Sequence, residues 1–279
     1  MHPVATRGRR FWGLAGLATA ASLAIPGGWL ITSAGVPGPN QQPQDTVTRV
    51  VTLRQAVTTL TVQSNGAPVR VTAGPVPRVR VTETISYNPD DGGPPAVLPA
   101  VSRGIVTLTG PQCDCSVSFA VTVPPGLGVA ADTEGGALTV SGAAGANLDS
   151  GGGPVLATGI SGHLIVTADD GTVVIHGLTG PLDADTGGGE LLASGVEAAT
   201  ATVVTGGGEA RIGFTRPPDA AFVSTGGGPA ALTLPGGPYA LTASSYGGSE
   251  AVGIATSPAA GRSITVTTGG GSLRIEPPG

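Results

Sequence analysis

The sequence predicts an all-β protein, a right-handed β-solenoid or two-sheet β-roll of about eight short rungs with an N-terminal β cap. Three observations predict it. Glycine supplies 48 and proline 25 of the 279 residues while aromatics make up 3%, so any core must be built from small aliphatic side chains. Apolar residues alternate with period two through many short runs, which is the strand signature. A glycine also recurs at Gly136, Gly153, Gly171, Gly189, Gly208, Gly228, Gly248 and Gly271, in steps of 17 to 23 residues, the period of a repeat architecture.

The N-terminus reads as an address. Arg7, Arg9 and Arg10 precede an uncharged apolar stretch that runs from Phe11 to about Val36. As a helix, residues 11–33 would span about 34 Å, enough for a hydrocarbon core of about 30 Å. Positive charge ahead of the stretch predicts that residues 1–10 stay in the cytoplasm and the rest is exported. Two readings follow. A retained single-pass anchor over residues 11–33 must tolerate Pro26-Gly27-Gly28, as some membrane helices do. A cleaved signal peptide would end near Ser22-Leu23-Ala24, and it would leave Trp29, Leu30 and Ile31 on the new terminus. The anchor is the expectation, because signal cores run to about 7–15 residues. Residues 34–46, with PGPNQQPQD, read as a semi-extended linker.

Residues 47–128 are expected to cap the open end of the repeat stack. Candidate strands are Val57–Gln63, Val69–Thr72, Arg78–Tyr87, Ile105–Thr109 and Ser116–Val123, and Asn65-Gly66 is a hairpin-turn signal. Cys113 and Cys115 flank Asp114. Residues two apart on a flat strand lie nearly 7 Å apart, at the limit for a disulfide, so a bridge needs a bend, which Pro111 makes credible. A local structural bridge and two free thiols both remain open, ahead of a redox switch, for which the sequence alone offers no support.

Residues 129–279 carry the repeats. Four columns, counted from the recurring glycine, are apolar in every rung except at Glu250. In one rung they are Leu164, Val166, Val173 and Ile175, which predicts two short strands per rung whose inward side chains stack on the next rung. Glu250 is expected to leave the interior through a one-residue slip that turns Ala251 inward. Glycine triplets such as 187–189 suit corners that need positive φ or close stacking. At the corner, Thr133, Ser150, Thr186, Thr205, Thr225, Ser245 and Thr268 form a hydroxyl column, able to bond along the stack or to satisfy turn amides.

The strand ending in Val123-Pro124-Pro125-Gly126 is followed by glycine-ended rungs and by Gly-x-x-Gly linkers at 159–162 and 177–180. In that order these features resemble the bacterial "putative adhesin" β-strand-repeat family, long catalogued as a domain of unknown function. The resemblance covers roughly Val47 to the C-terminus. It implies an exported or membrane-anchored solenoid-like domain with no established catalytic residues, and some relatives belong to envelope-stress systems. The glycine triplets here are denser than the usual family turn.

Composition and motifs exclude several chemistries. A net charge of −5 and the absence of any basic stripe argue against nucleic acid as a partner. The chain has no lysine for a phosphate loop and no Gly-x-Ser-x-Gly elbow. His163 and His176 fall on outward positions without a third ligand at metal spacing. Asp132, Asp149 and Asp185 share one column and are the metal candidates, with Asp169, Asp170 and Asp183 close by. The Gly-Gly-x-Gly-x-Asp calcium repeat is absent, so turn acids capping backbone amides are the expectation and no cofactor is assigned. The expected function is a non-catalytic cell-surface binding or structural module with an unknown envelope partner. The alternative is an envelope-stress sensing component.

Overall fold

A computed structural model describes residues 30–32 and 44–279. The N-terminal region holds β1 (Leu30–Thr32), β2 (Asp45–Thr52), β3 (Thr59–Gln63), β4 (Val69–Ala73), β5 (Arg80–Tyr87), β6 (Ala100–Ser102), β7 (Ile105–Thr109) and β8 (Ser116–Val123). The repeats begin with β9 (Gly128–Asp132), β10 (Leu138–Ser141), β11 (Gly145–Asp149), β12 (Val155–Ile160), β13 (Leu164–Ala168) and β14 (Val173–Leu178). They continue with β15 (Leu182–Thr186), β16 (Leu191–Val196), β17 (Thr200–Thr205), β18 (Ala210–Phe214), β19 (Ala220–Thr225) and β20 (Ala230–Thr233). The last four are β21 (Ala240–Ser244), β22 (Glu250–Val252), β23 (Ser263–Thr268) and β24 (Leu273–Glu276).

These strands form a 13-stranded and an 11-stranded sheet, and the chain alternates between them. From β9 to β20 each strand pairs in parallel with its counterpart one repeat away, in the register of the glycine alignment. Val173, for example, pairs with Val155 and with Leu191. The apolar columns face the space between the sheets. Leu164, Val173 and Ile175 are fully buried and Val166 nearly so, while Val174 is half-buried on the outer surface. Small aliphatic residues fill that space because each rung adds only about 4.8 Å of height.

A fifth inward column was not legible as such. Ile160, Leu178, Val196, Phe214 and Leu234 are buried at the second bend of successive rungs. Each of the first three follows a glycine, Gly159, Gly177 or Gly195, at φ +62, +69 and +66. That left-handed residue shifts the alternation by one, so the apolar side chain turns inward three positions after its predecessor instead of two.

The parallel stack is deeper than the repeats alone. β3 pairs with β9 and β7, and β4 pairs with β10 and β8, adding two further rungs at the N-terminal end. Asn65 and Gly66 have the positive φ values of the expected turn, 48 and 88. They join no hairpin, because β3 and β4 lie in different sheets and each takes its ladder from parallel neighbours. Beyond the outermost rung, β5, β2 and β1 add antiparallel strands to one sheet and β6 adds one to the other.

The rungs do not all stack in chain order. β23 sits between β19 and β21, and β24 between β20 and β22, so the last rung in sequence is next to last in space. Glu250 does not slip: it pairs with Leu273 and Val252 with Ile275, in the register of the inward columns. It avoids a buried charge because β22 is the terminal strand and its three residues are all exposed.

Leu30–Thr32 forms a strand antiparallel to Thr46–Thr48. A membrane helix over residues 11–33 therefore does not extend through these three positions, and the rest of that segment, with residues 1–10 and most of the linker, lies outside the described residues. Among the described residues no helix is long and apolar enough to cross a membrane.

Candidate binding surfaces and corner sites

Most corners are built from one hydroxyl followed by a glycine-rich turn. Thr133, Ser150, Thr186, Thr205, Thr225, Ser245 and Thr268 are all buried, and each donates its hydroxyl proton to the carbonyl oxygen three residues on, at 2.5–2.8 Å. The bonds close each corner on itself instead of reaching turn amides, and Thr268 alone also contacts the neighbouring rung, at Ser245 O, 3.2 Å away. Ser64 makes the same bond to Ala67 O, so the motif extends one rung beyond the repeats. Ala168 is the exception, and its corner carries Asp169 and Asp170 where the corners after Ser150, Thr186, Thr205, Thr225 and Thr268 carry two glycines.

Close stacking, not positive φ, requires the third glycine of the corner. A Cβ on Gly189, Gly208 or Gly228 would overlap the carbonyl oxygen of the glycine one rung below.

The candidate acids separate into two groups. Asp132 and Asp149 are paired neighbours in the ladder, and their carboxylates accept from Glu134 N and Gly151 N, each at 3.2 Å. Asp185 is not adjacent to them, because Thr167 occupies the rung between. Among the described residues no three His, Cys, Asp or Glu side chains are grouped to hold a metal ion.

His163, just before β13, and His176, in β14, are exposed, and each has one partner. His163 Nε2 lies 2.7 Å from Asp183 Oδ2, and His176 Nδ1 lies 2.8 Å from Ser194 Oγ. The His176–Ser194 pair was missed in the sequence because its members are 18 residues apart, one rung, and meet only through the ladder. The pair lies on an open strand face and lines neither of the two hollows described below.

The outer face of the 13-stranded sheet carries Leu156, Val174 and Leu192 side by side, continued on either side by Thr139 and Arg211. Beside this stripe runs a row of small polar residues, Ser141, Thr158, His176 and Ser194. The outer face of the 11-stranded sheet is shallowly hollowed by about 260 Å³ where Gly128, Ala130 and Gly145 present little side chain between Thr59 and His163. Cys113 and Cys115 are joined by a disulfide with their Cα atoms 5.2 Å apart, so the chain bends there as a local bridge requires.

Among the described residues, one ion pair joins a buried carboxylate to a half-buried arginine. Glu83 points inward from β5, and Arg49 of β2 faces it with Nη1 3.7 Å from Oε2. Arg49 also donates to the carbonyls of Pro94 and Pro95, which tie down the segment after β5. Burial pushes the Glu83 carboxyl up to about 7, and the attraction of Arg49 only partly offsets it.

No family model matches the sequence, and no curated protein matches it. Solved structures do. One described as a "putative adhesin" from Bacteroides fragilis shares 13% identity, with 84% of this chain and 97% of that one covered and a TM-score of 0.38. A "putative adhesin" from Parabacteroides distasonis shares 10%, with 82% and 96% covered and a TM-score of 0.44. A "putative lipid binding protein" from the same species shares 10%, with 83% and 97% covered and a TM-score of 0.35.

Proposed function

We propose that this chain is a non-catalytic binding and structural module of the bacterial cell envelope, a right-handed β-solenoid held outside the membrane. The observation that carries this reading is the outer face of the 13-stranded sheet, where Leu156, Val174 and Leu192 form an aliphatic stripe beside a hydroxyl-rich row. Flat rows repeating at about 4.8 Å suit an extended partner, such as a strand, a polymer or an ordered surface. The titratable groups support the same reading, since His163 and His176 each meet one partner and do not converge.

Arg7, Arg9 and Arg10 ahead of an apolar stretch support export. The strand at Leu30–Thr32 removes much of the objection to cleavage near Ala24, because Leu30 and Ile31 would then continue into the β domain instead of trailing from it. That supports a signal peptide over an anchor reaching Ser33.

The test has two arms. N-terminal sequencing of the chain recovered from its host, with protease shaving of intact cells, reads location and processing; a chain that shaving reaches only after lysis overturns the location. Retention of the purified chain on isolated envelopes reads the face. Leu156→Lys with Leu192→Lys is expected to reduce retention by about tenfold or more, and unchanged retention removes this face from the proposal.

A further inference from the structure

Cys113 and Cys115 are the two cysteines of the chain, and they are bonded to each other. Three observations argue that the bond is not a staple. A disulfide stabilises by constraining the unfolded chain in proportion to the logarithm of loop length, and here the partners are 2 residues apart, so the constraint is close to the minimum. The pair also lies outside every ladder, between the end of β7 at Thr109 and the start of β8 at Ser116. Finally, it is accessible. Cys113 and Asp114 are exposed, whereas Cys115 is half-buried and packs against the core. The bond opens onto a polar hollow of about 300 Å³ walled by Ser86, Tyr87, Asn88 and Asp91.

We propose that the Cys113–Cys115 disulfide is a thiol–disulfide exchange site that accepts two electrons from a dithiol, with Cys113 Sγ as the atom attacked. A donor thiolate attacks Cys113 Sγ; the mixed disulfide forms as the Cys113–Cys115 bond breaks, and Cys115 Sγ leaves as a thiolate that takes a proton from water. The donor's second thiol gives up its proton to water and attacks the donor sulfur of the mixed disulfide. Cys113 Sγ then leaves and is protonated in turn. The donor becomes a disulfide, and the chain gains two electrons and two protons. Exposure selects the sulfur attacked: Cys113 is exposed, whereas Cys115 is half-buried against the core. With no third cysteine in the chain, the exchange cannot divert into an internal rearrangement.

Glutathione and dithiothreitol serve as the monothiol and dithiol probes on the full chain. Three results are expected. Millimolar reduced glutathione, to which structural disulfides of exported proteins are resistant, opens the bond. After acid quench, peptide mass mapping finds the glutathione adduct on Cys113. Reduction by dithiothreitol, and the variant Cys113→Ser with Cys115→Ser, each leave the melting temperature within about 3 °C of the oxidised chain. Resistance to glutathione, an adduct on Cys115, or a larger fall in melting temperature on reduction would each overturn the proposal. The double variant separates loss of the bond from any damage caused by the reductant.

Discussion

Arg49 and Glu83 face each other across the antiparallel ladder of β2 and β5, with Nη1 3.7 Å from Oε2 and the Glu83 side chain 5% exposed. The arginine is held from its other side by the carbonyls of Pro94 and Pro95, while Glu83 Oε1 is buried with no hydrogen-bond partner. A carboxylate placed this way is under-compensated. Desolvation outweighs the single charge opposite it, and the carboxyl holds its proton up to about pH 7.

The pH dependence follows from that sign. The folded state binds the proton more tightly than the unfolded chain, so the contribution is fully present below about pH 4.5. It is lost as pH rises toward 7 and is constant above that. The expected loss across this window is on the order of 2–3 kcal/mol. Glu83→Gln keeps the shape and removes the titration, so the difference between wild type and variant isolates this group from the ordinary carboxylates and histidines. Denaturant midpoints at pH 5 and pH 8 measure it. A difference between the two proteins that does not change with pH would show that Glu83 is already charged at pH 5.

Val173 and Val174 test the register. Val173 is fully buried between Val155 and Leu191, whereas Val174 is half-exposed on the outer face. Val173→Asp puts an unpaired carboxylate between the sheets and is expected to cost several kcal/mol, a large part of a typical domain stability of about 5–15 kcal/mol. Val174→Asp leaves the charge solvated and is expected to cost within about 1 kcal/mol. Urea midpoints of the two variants decide it, and equal losses would contradict the inward assignment.

How much was legible depended on whether the information was periodic. The four inward columns were legible because alternation and a recurring glycine locate every rung independently, and Val173 and Ile175 are buried as that pattern requires. The order of the rungs was not, because each presents the same backbone ladder and similar aliphatic side chains. Nothing in Leu273 or Ile275 specifies that they insert between Ala230 and Leu232 on one side and Glu250 and Val252 on the other. The one trace was the longer step from Gly248 to Gly271, which carries the connection back past the outermost rung. Glu83 was readable in principle, since it alternates with Val81 and Ile85, but a lone charge in a strand does not by itself declare which face it takes. Of the candidate site, the adjacency of Cys113 and Cys115 left a bridge and free thiols equally open, whereas His176 and Ser194 meet only once the rungs are stacked.

The corner glycines make a paired prediction within one triplet. A Cβ on Gly208 would overlap the carbonyl oxygen of Gly189, whereas one on Gly207 would meet nothing within 4 Å. Gly208→Ala must push two rungs apart and is expected to cost about 1–3 kcal/mol, comparable with overpacking of a core. Gly207→Ala is expected to be neutral within about 1 kcal/mol, or to stabilise slightly by restricting the unfolded chain. Thermal melts of both variants check the contrast. If Gly207→Ala is the more damaging, close stacking is not what selects glycine at these corners.

The last prediction concerns the exposed end of the stack. β22 pairs with β24 on one side only, so its other edge presents unpaired backbone groups at the terminal rung, the arrangement most open to pairing with another sheet. Glu250 stands in the register of the inward apolar column at that rung, and its carboxylate accepts from Ser245 N at 2.7 Å. In an interior rung such a charge would be intolerable. At the end it serves two purposes: it fixes the corner of the terminal rung, and it places a charge where a second stack would have to bury it. Glu250→Val completes the apolar column and removes the repulsive element. The expected result is a concentration-dependent increase in molecular mass relative to wild type, read by light scattering after gel filtration. Glu250→Gln keeps the hydrogen bond to Ser245 and loses only the charge, so it is expected to fall between the two. If Glu250→Val shows the same mass as wild type at every concentration, the terminal glutamate is not what keeps these stacks from joining end to end.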